Sequence, residues 1–124
     1  MQHCETMNDE LDPQALERLR VLGKGAKFVR DMIELFLSYA PAKLTDARAA
    51  LQSGDLLAVA TAVHPLKSGA GNLGARVVQD LAGQIEQLAT EEKPETLPAL
   101  LHELNLALSR AQSQLDEAKK RLES

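Results

Sequence analysis

One histidine in this chain stands where its imidazole is free to react. Between Leu56 and Leu73 apolar residues recur at Leu56, Val59, Val63, Leu66, Ala70 and Leu73, in the three- and four-residue steps of a helix face turned toward a core. His64 lies off that period. At about 100° of rotation per residue it points roughly 130° away from the mean core direction, toward solvent. Thr61, Lys67, Ser68 and Gly71 share the outward face, with Ala60 and Leu57 one and two turns before the histidine. The ring therefore has small neighbours and one cation. A neutral imidazole is a nucleophile at neutral pH and needs no partner base for the purpose. Lys67, one turn further along, is placed to meet an anion carried on the ring. At about 4 Å and a near-surface dielectric that contact is of order 4 kcal/mol before solvation and entropy costs are removed. Taken alone, though, an exposed histidine on a helix is an ordinary surface residue.

Other chemistries find no footing. Cys4 is the single cysteine of the 124 residues, so no internal disulfide and no cysteine-based zinc site is expected. No Glu-x-x-His pair occurs, which excludes a di-iron carboxylate bundle, and His3 and His102 read as incidental. A net charge of −4 argues against general affinity for nucleic acid or acidic membranes, which rests on many Lys/Arg–phosphate contacts. A protein partner is expected instead. No apolar run spans a bilayer and the polar N-terminus lacks a signal-peptide centre, so the expected location is cytoplasmic.

The elements that must position His64 are helical. The chain is 44% apolar, rich in Leu and Ala, with 2% aromatic residues, a composition of packed helices in one domain. Residues 1–10 are polar and without period and are expected to form a flexible tail, leaving 11–124 as the domain. Asp12 and Pro13 read as the cap and first position of a short helix that Gly23 and Gly25 end. A long stripe then runs from Phe28 to Leu51, interrupted by Pro41 and closed by Gly54, after which Asp55 caps the histidine helix. Gly71-Asn72 and Gly74 mark a turn, with Asn72 a turn or cap residue. A further stripe at Val78, Leu81, Ile85 and Leu88 stops near Thr90, and the last helix repeats Leu97, Leu101, Leu104, Leu108, Ala111, Leu115, Ala118 and Leu122. These patterns predict an all-α fold, an antiparallel up-down four-helix bundle with an additional short N-terminal helix. A coiled-coil homodimer through the last helix is the competing use of that final stripe.

The stretch His64-Pro65-Leu66-Lys67-Ser68-Gly69-Ala70, followed by Leu73-Gly74-Ala75, resembles the motif of the histidine-containing phosphotransfer (HPt) family of two-component phosphorelays. Leu11-Asp12, Phe28, Phe36, Asp55 and Ile85-Glu86 fit the same pattern, so the resemblance covers nearly the whole chain. It implies that His64 accepts a phosphoryl group from a receiver-domain phospho-aspartate and passes it to the aspartate of another response regulator. Lys67 would stabilise the phosphoryl group, and Ala60, Thr61, Ser68, Gly69 and Gly71 would shape access for the receiver. The expected partners are response-regulator receivers or a hybrid histidine kinase, met by a monomer. The chain would be a stoichiometric carrier without autokinase activity or cofactor, magnesium being supplied by the receiver. Two departures stand out. Ser68-Gly69 reverses the commoner Gly-Ser order, and Pro65 directly follows the histidine. An interior proline costs about 3 kcal/mol, so a kink or a frayed hydrogen bond at the Thr61 carbonyl is expected there rather than a helix end. The other functional class is a helical interaction module that binds a receiver or another signalling protein without carrying phosphate.

Overall fold

The structure, a computed structural model, describes residues 11–23 and 25–123. The expected N-terminal tail, with His3 and Cys4, lies outside the described residues. Among those described there are five helices: α1 (Pro13–Leu22), α2 (Ala26–Gln52), α3 (Leu56–Leu73), α4 (Arg76–Thr90) and α5 (Leu97–Glu123). The last four form the bundle. The core is one continuous cluster drawn from all four, with Ile33, Phe36, Val63, Leu66, Ile85, Leu104 and Leu115 each no more than 2% exposed. This is the stripe pattern of the sequence closed upon itself.

Local signals set the ends of the elements. Asp12 accepts a hydrogen bond from the Gln14 N–H at 3.0 Å and so caps α1, with Pro13 at its first position. Asp55 does the same for α3 through the Ala58 N–H at 3.0 Å. Gly54, at φ 78°, takes the left-handed conformation that lets the chain reverse between α2 and α3. Both interior prolines sit inside continuous helices, Pro41 in α2 and Pro65 in α3. Neither ends its helix, as the continued apolar stripes require.

One boundary differs from expectation. Gly71 and Asn72 belong to the last turn of α3, and the turn begins at Gly74, where φ is 81°. The reason is packing: Ala70 and Leu73 are buried to 0% and 1% exposure, which keeps the helix wound to its end. Gly74 then accepts the Asp12 N–H at 2.9 Å, and a Cβ at that position would meet the Asp12 carbonyl oxygen at 2.8 Å. Arg76 closes the junction with an ion pair to Asp12 at 3.0 Å. The short first helix is thereby fastened to the α3–α4 corner.

The stripe of α5 is used within the chain. Leu97, Leu101, Leu104, Leu108, Ala111, Leu115 and Ala118 are each 3% exposed or less, packed against α2 and α4. The apolar seam that a coiled-coil homodimer would need is therefore already covered.

Candidate functional site

Val59, Val63, Leu66, Ala70 and Leu73 lock one face of α3 into the core, each 1% exposed or less. That anchoring turns the opposite face outward, and the His64 side chain is 57% exposed. Two neighbouring helices build the walls. On one side α4 runs antiparallel, bringing Gln79 over Gly71, Gly83 beneath Lys67 and Glu86 beside His64. On the other side α2 places Phe36 and Tyr39, edge to face with centroids 5.6 Å apart, against Gly69. The Tyr39 hydroxyl donates to the Pro65 carbonyl at 3.2 Å, which ties α2 to the turn that carries the histidine. Pro65 has no N–H to offer the Thr61 carbonyl, and Thr61 lies on the exposed face, where solvent can donate instead.

Glu86 is the residue that organises the site. Its Oε2 lies 2.8 Å from His64 Nδ1 and its Oε1 lies 2.7 Å from Lys67 Nζ, so one carboxylate holds both. The Lys67 ammonium beside it holds the Glu86 carboxyl below the usual carboxylate range, against the opposing effect of burial and with help from the His64 hydrogen bond. An ionised carboxylate only accepts hydrogen bonds. Nδ1 must then carry the proton, and in the neutral ring the lone pair belongs to Nε2. The site thus presents an oriented nucleophile, a cation one turn away and a carboxylate that fixes both. The lysine stem passes over Gly83, where a Cβ would make an ordinary 3.5 Å contact with Lys67 Cδ.

The residues expected around the ring divide into three groups. Thr61 and Ser68 are exposed on the His64 face, and Thr61 donates to the Leu57 carbonyl at 2.9 Å. Thr61 also lines a groove of about 370 Å³ with Lys43, Asp46, Asp55, Leu57, Ala58 and Ala62, and Leu57 is 77% exposed beside it. Ala60 does not share the outward face: it is 7% exposed and belongs to the core cluster. Gly69 and Gly71 are half-exposed, each with a neighbouring helix close by. A Cβ on Gly69 would strike the Tyr39 hydroxyl and come within 2.7 Å of Phe36 Cδ1, and one on Gly71 would meet Gln79 Nε2 at 2.6 Å. At Gly69 the space is taken by α2, and at Gly71 by the flexible Gln79 side chain of α4. The sequence pattern gives the histidine small neighbours and one cation, and places Glu86 only as half of an Ile85-Glu86 pair. The signal for it was the spacing Gln79, Gly83, Glu86, which marks one polar, partly open face of α4.

Among the described residues no group of three or more His, Cys, Asp or Glu is arranged to hold a metal ion. No helix among them is long and apolar enough to cross a membrane.

The architecture is that of a helical phosphotransfer bundle: the chain superposes on the crystal structure of histidine-containing phosphotransfer protein B (HptB) from Pseudomonas aeruginosa PAO1 with a TM-score of 0.83, over 90% of this chain and 96% of that one. At 22% identity this similarity speaks for the fold. The family model for the Hpt domain matches residues 31–114, which contain α3, α4 and most of α2 and α5. The chain belongs to the Hpt domain family, and its role is histidine phosphotransfer in a phosphorelay. No curated protein sequence matches it.

Proposed function

We propose that His64 is the phosphoacceptor, taking a phosphoryl group from the phospho-aspartate of a receiver domain and delivering it to the aspartate of another response regulator. The observation that carries this reading is the Glu86 bridge, with Nδ1 of a half-exposed ring at 2.8 Å from one carboxylate oxygen and Lys67 at 2.7 Å from the other. In the forward step Nε2 attacks phosphorus, the Nε2–P bond forms, and the acyl phosphate O–P bond breaks with its electron pair returning to the donor carboxylate. The ring becomes a phosphorylated imidazolium, with Nδ1–H still donating its hydrogen bond to Glu86 Oε2. No proton has to move. Positioning and charge neutralisation are the main demands of such a transfer, and Lys67 keeps two further N–H donors for the phosphoryl oxygens while one stays on Glu86.

Magnesium and the acid–base groups belong, on this reading, to the receiver. The chain acts as a stoichiometric carrier that has no autokinase step. We further read it as a cytoplasmic monomer, and the internal use of the α5 stripe supports the monomer. Thr61 and Ser68 leave the approach to the ring open on the exposed face, and the Leu57 groove adjoins it.

The test is a mixture of the chain with a phosphorylated receiver. An acid-labile, base-stable phosphate is expected on the wild type and none on His64→Gln. Failure to label the wild type with every receiver tried overturns the carrier reading and leaves an interaction module.

A further inference from the structure

We infer that the seam between α2 and α5 docks an amphipathic helix of a partner protein, one whose apolar stripe is flanked by carboxylates that meet Arg48. The inference goes beyond the carrier reading and does not depend on it.

The four bundle helices meet at four seams. α3 packs against α2 and α4, and α5 packs against the same two, so α3 and α5 stand at diagonal corners. His64, Lys67 and Glu86 occupy the α3–α4 seam. The α2–α5 seam is therefore the opposite side of the bundle. Two cavities of about 480 and 190 Å³ open along it, and Arg48 lines both, which makes them one groove. The groove runs from Pro41 to Gln52 on α2 and from Pro98 to Gln112 on α5. At the helical rise per residue its length is about 16–21 Å.

The chemistry of the groove selects its occupant. Leu51, Pro98 and Leu101 give it apolar walls, and Leu106, one turn beyond His102 on α5, is 45% exposed at its rim. The chain carries 18 acidic residues against 14 basic ones, yet neither cavity has an Asp or Glu in its lining. Arg48 is exposed and, among the described residues, takes part in no ion pair. Asp46, its nearest acidic neighbour in sequence, lines the other groove, toward α3. Glu103 follows His102 about 100° further round α5. A guanidinium so placed matches a carboxylate with two parallel hydrogen bonds. The occupant must also satisfy its own backbone, because the helices bordering the groove have their amides paired internally and offer only side chains; a helix meets that condition and a strand does not. No helix of the described chain is spare, since α2 to α5 share one core and α1 packs on α2 and α3. A second copy fits poorly: groove against groove across a two-fold axis sets Arg48 toward its own counterpart, with no carboxylate in either lining. A partner helix seated here leaves His64 open on the far side.

The experiment uses the full chain and a synthetic peptide of Leu, Ala and Glu, about 16 residues or four turns long, with leucines at helical spacing and glutamates along both edges of the stripe. A twin peptide carries Lys for every Glu. Backbone amide shifts locate binding, and anisotropy of the labelled peptide gives the affinity. The Glu peptide is expected to shift amides around Arg48, Leu101 and His102 and to leave those around His64 and Lys67 in place. Arg48→Glu, a change on an exposed position, is expected to weaken the Glu peptide by about tenfold or more and to bind the Lys twin better than wild type does. Leu106→Asp is expected to weaken the Glu peptide as well. Equal affinity of the wild type for the two peptides overturns the proposal, because the groove would then be an unselective apolar surface. Shifts centred on His64 overturn it too. So does a wild-type dimer in sedimentation that Arg48→Glu dissociates, which would give the seam to a second copy.

Discussion

The Glu86 carboxyl, with an ordinary value of 4.5, is lowered first by the Lys67 hydrogen bond, against burial, and then by His64. A carboxyl with a lower pKa folded than unfolded adds stability that is complete above its unfolded value and disappears as pH falls through the folded one. The stability difference between wild type and Glu86→Gln is therefore expected to be constant at neutral pH and to shrink as pH drops below 4.5. Urea midpoints measured across that range check the sign. How the site was legible follows from the same residues. The exposure of His64 could be read from its phase against Val63 and Leu66, because a helix fixes phase locally. Glu86 is 22 residues away on another helix, and its contact depends on the antiparallel register of α3 and α4, which no local period encodes.

Helix contacts around the site rest on a few small or capping residues. Gly69→Ala would press a methyl group into Tyr39 and Phe36 and force α2 away from the histidine helix. Overpacking of this kind costs about 1–3 kcal/mol, and loss of the Tyr39 bond to Pro65 should appear as a lower thermal midpoint. Gly74→Ala combines a left-handed φ of 81° with a clash at the Asp12 carbonyl, and is expected to lower stability by a similar amount while loosening α1. Hydrogen exchange at residues 13–22 is the measurement that reports it. Asp55→Ala removes the cap of α3 and should cost about 1 kcal/mol in chemical denaturation. Asp12, Pro13, Gly54 and Asp55 announced these boundaries in the sequence, because caps and glycine turns act within a few residues. Ala60, Gly69 and Gly71 were read as lining the ring because small residues look alike whether they face a partner domain or a neighbouring helix. The packing of α2 and α4 decides between the two.

At the scale of the molecule, two histidines among the described residues are exposed, in different settings. His102 lies on α5 in a groove with Arg48, Leu51 and Pro98, whose lining includes neither Glu86 nor Lys67. His102→Gln is expected to leave phosphoryl labelling from a receiver unchanged, whereas His64→Gln abolishes it, and quantified phosphohistidine on each variant separates the two. The all-helical bundle was readable from composition and stripe phase, since each stripe finds its partner inside 124 residues. The junction of Asp12 with Gly74 also has a practical bearing on tethering. A domain fused ahead of Leu11 would be anchored where α1 meets the end of α3, ten residues from His64 and hence about 15 Å along the helix axis. A linker of about eight flexible residues has a root-mean-square reach of that order. A receiver attached there would meet the acceptor ring at an effective concentration in the millimolar range, turning a diffusional encounter into an intramolecular one.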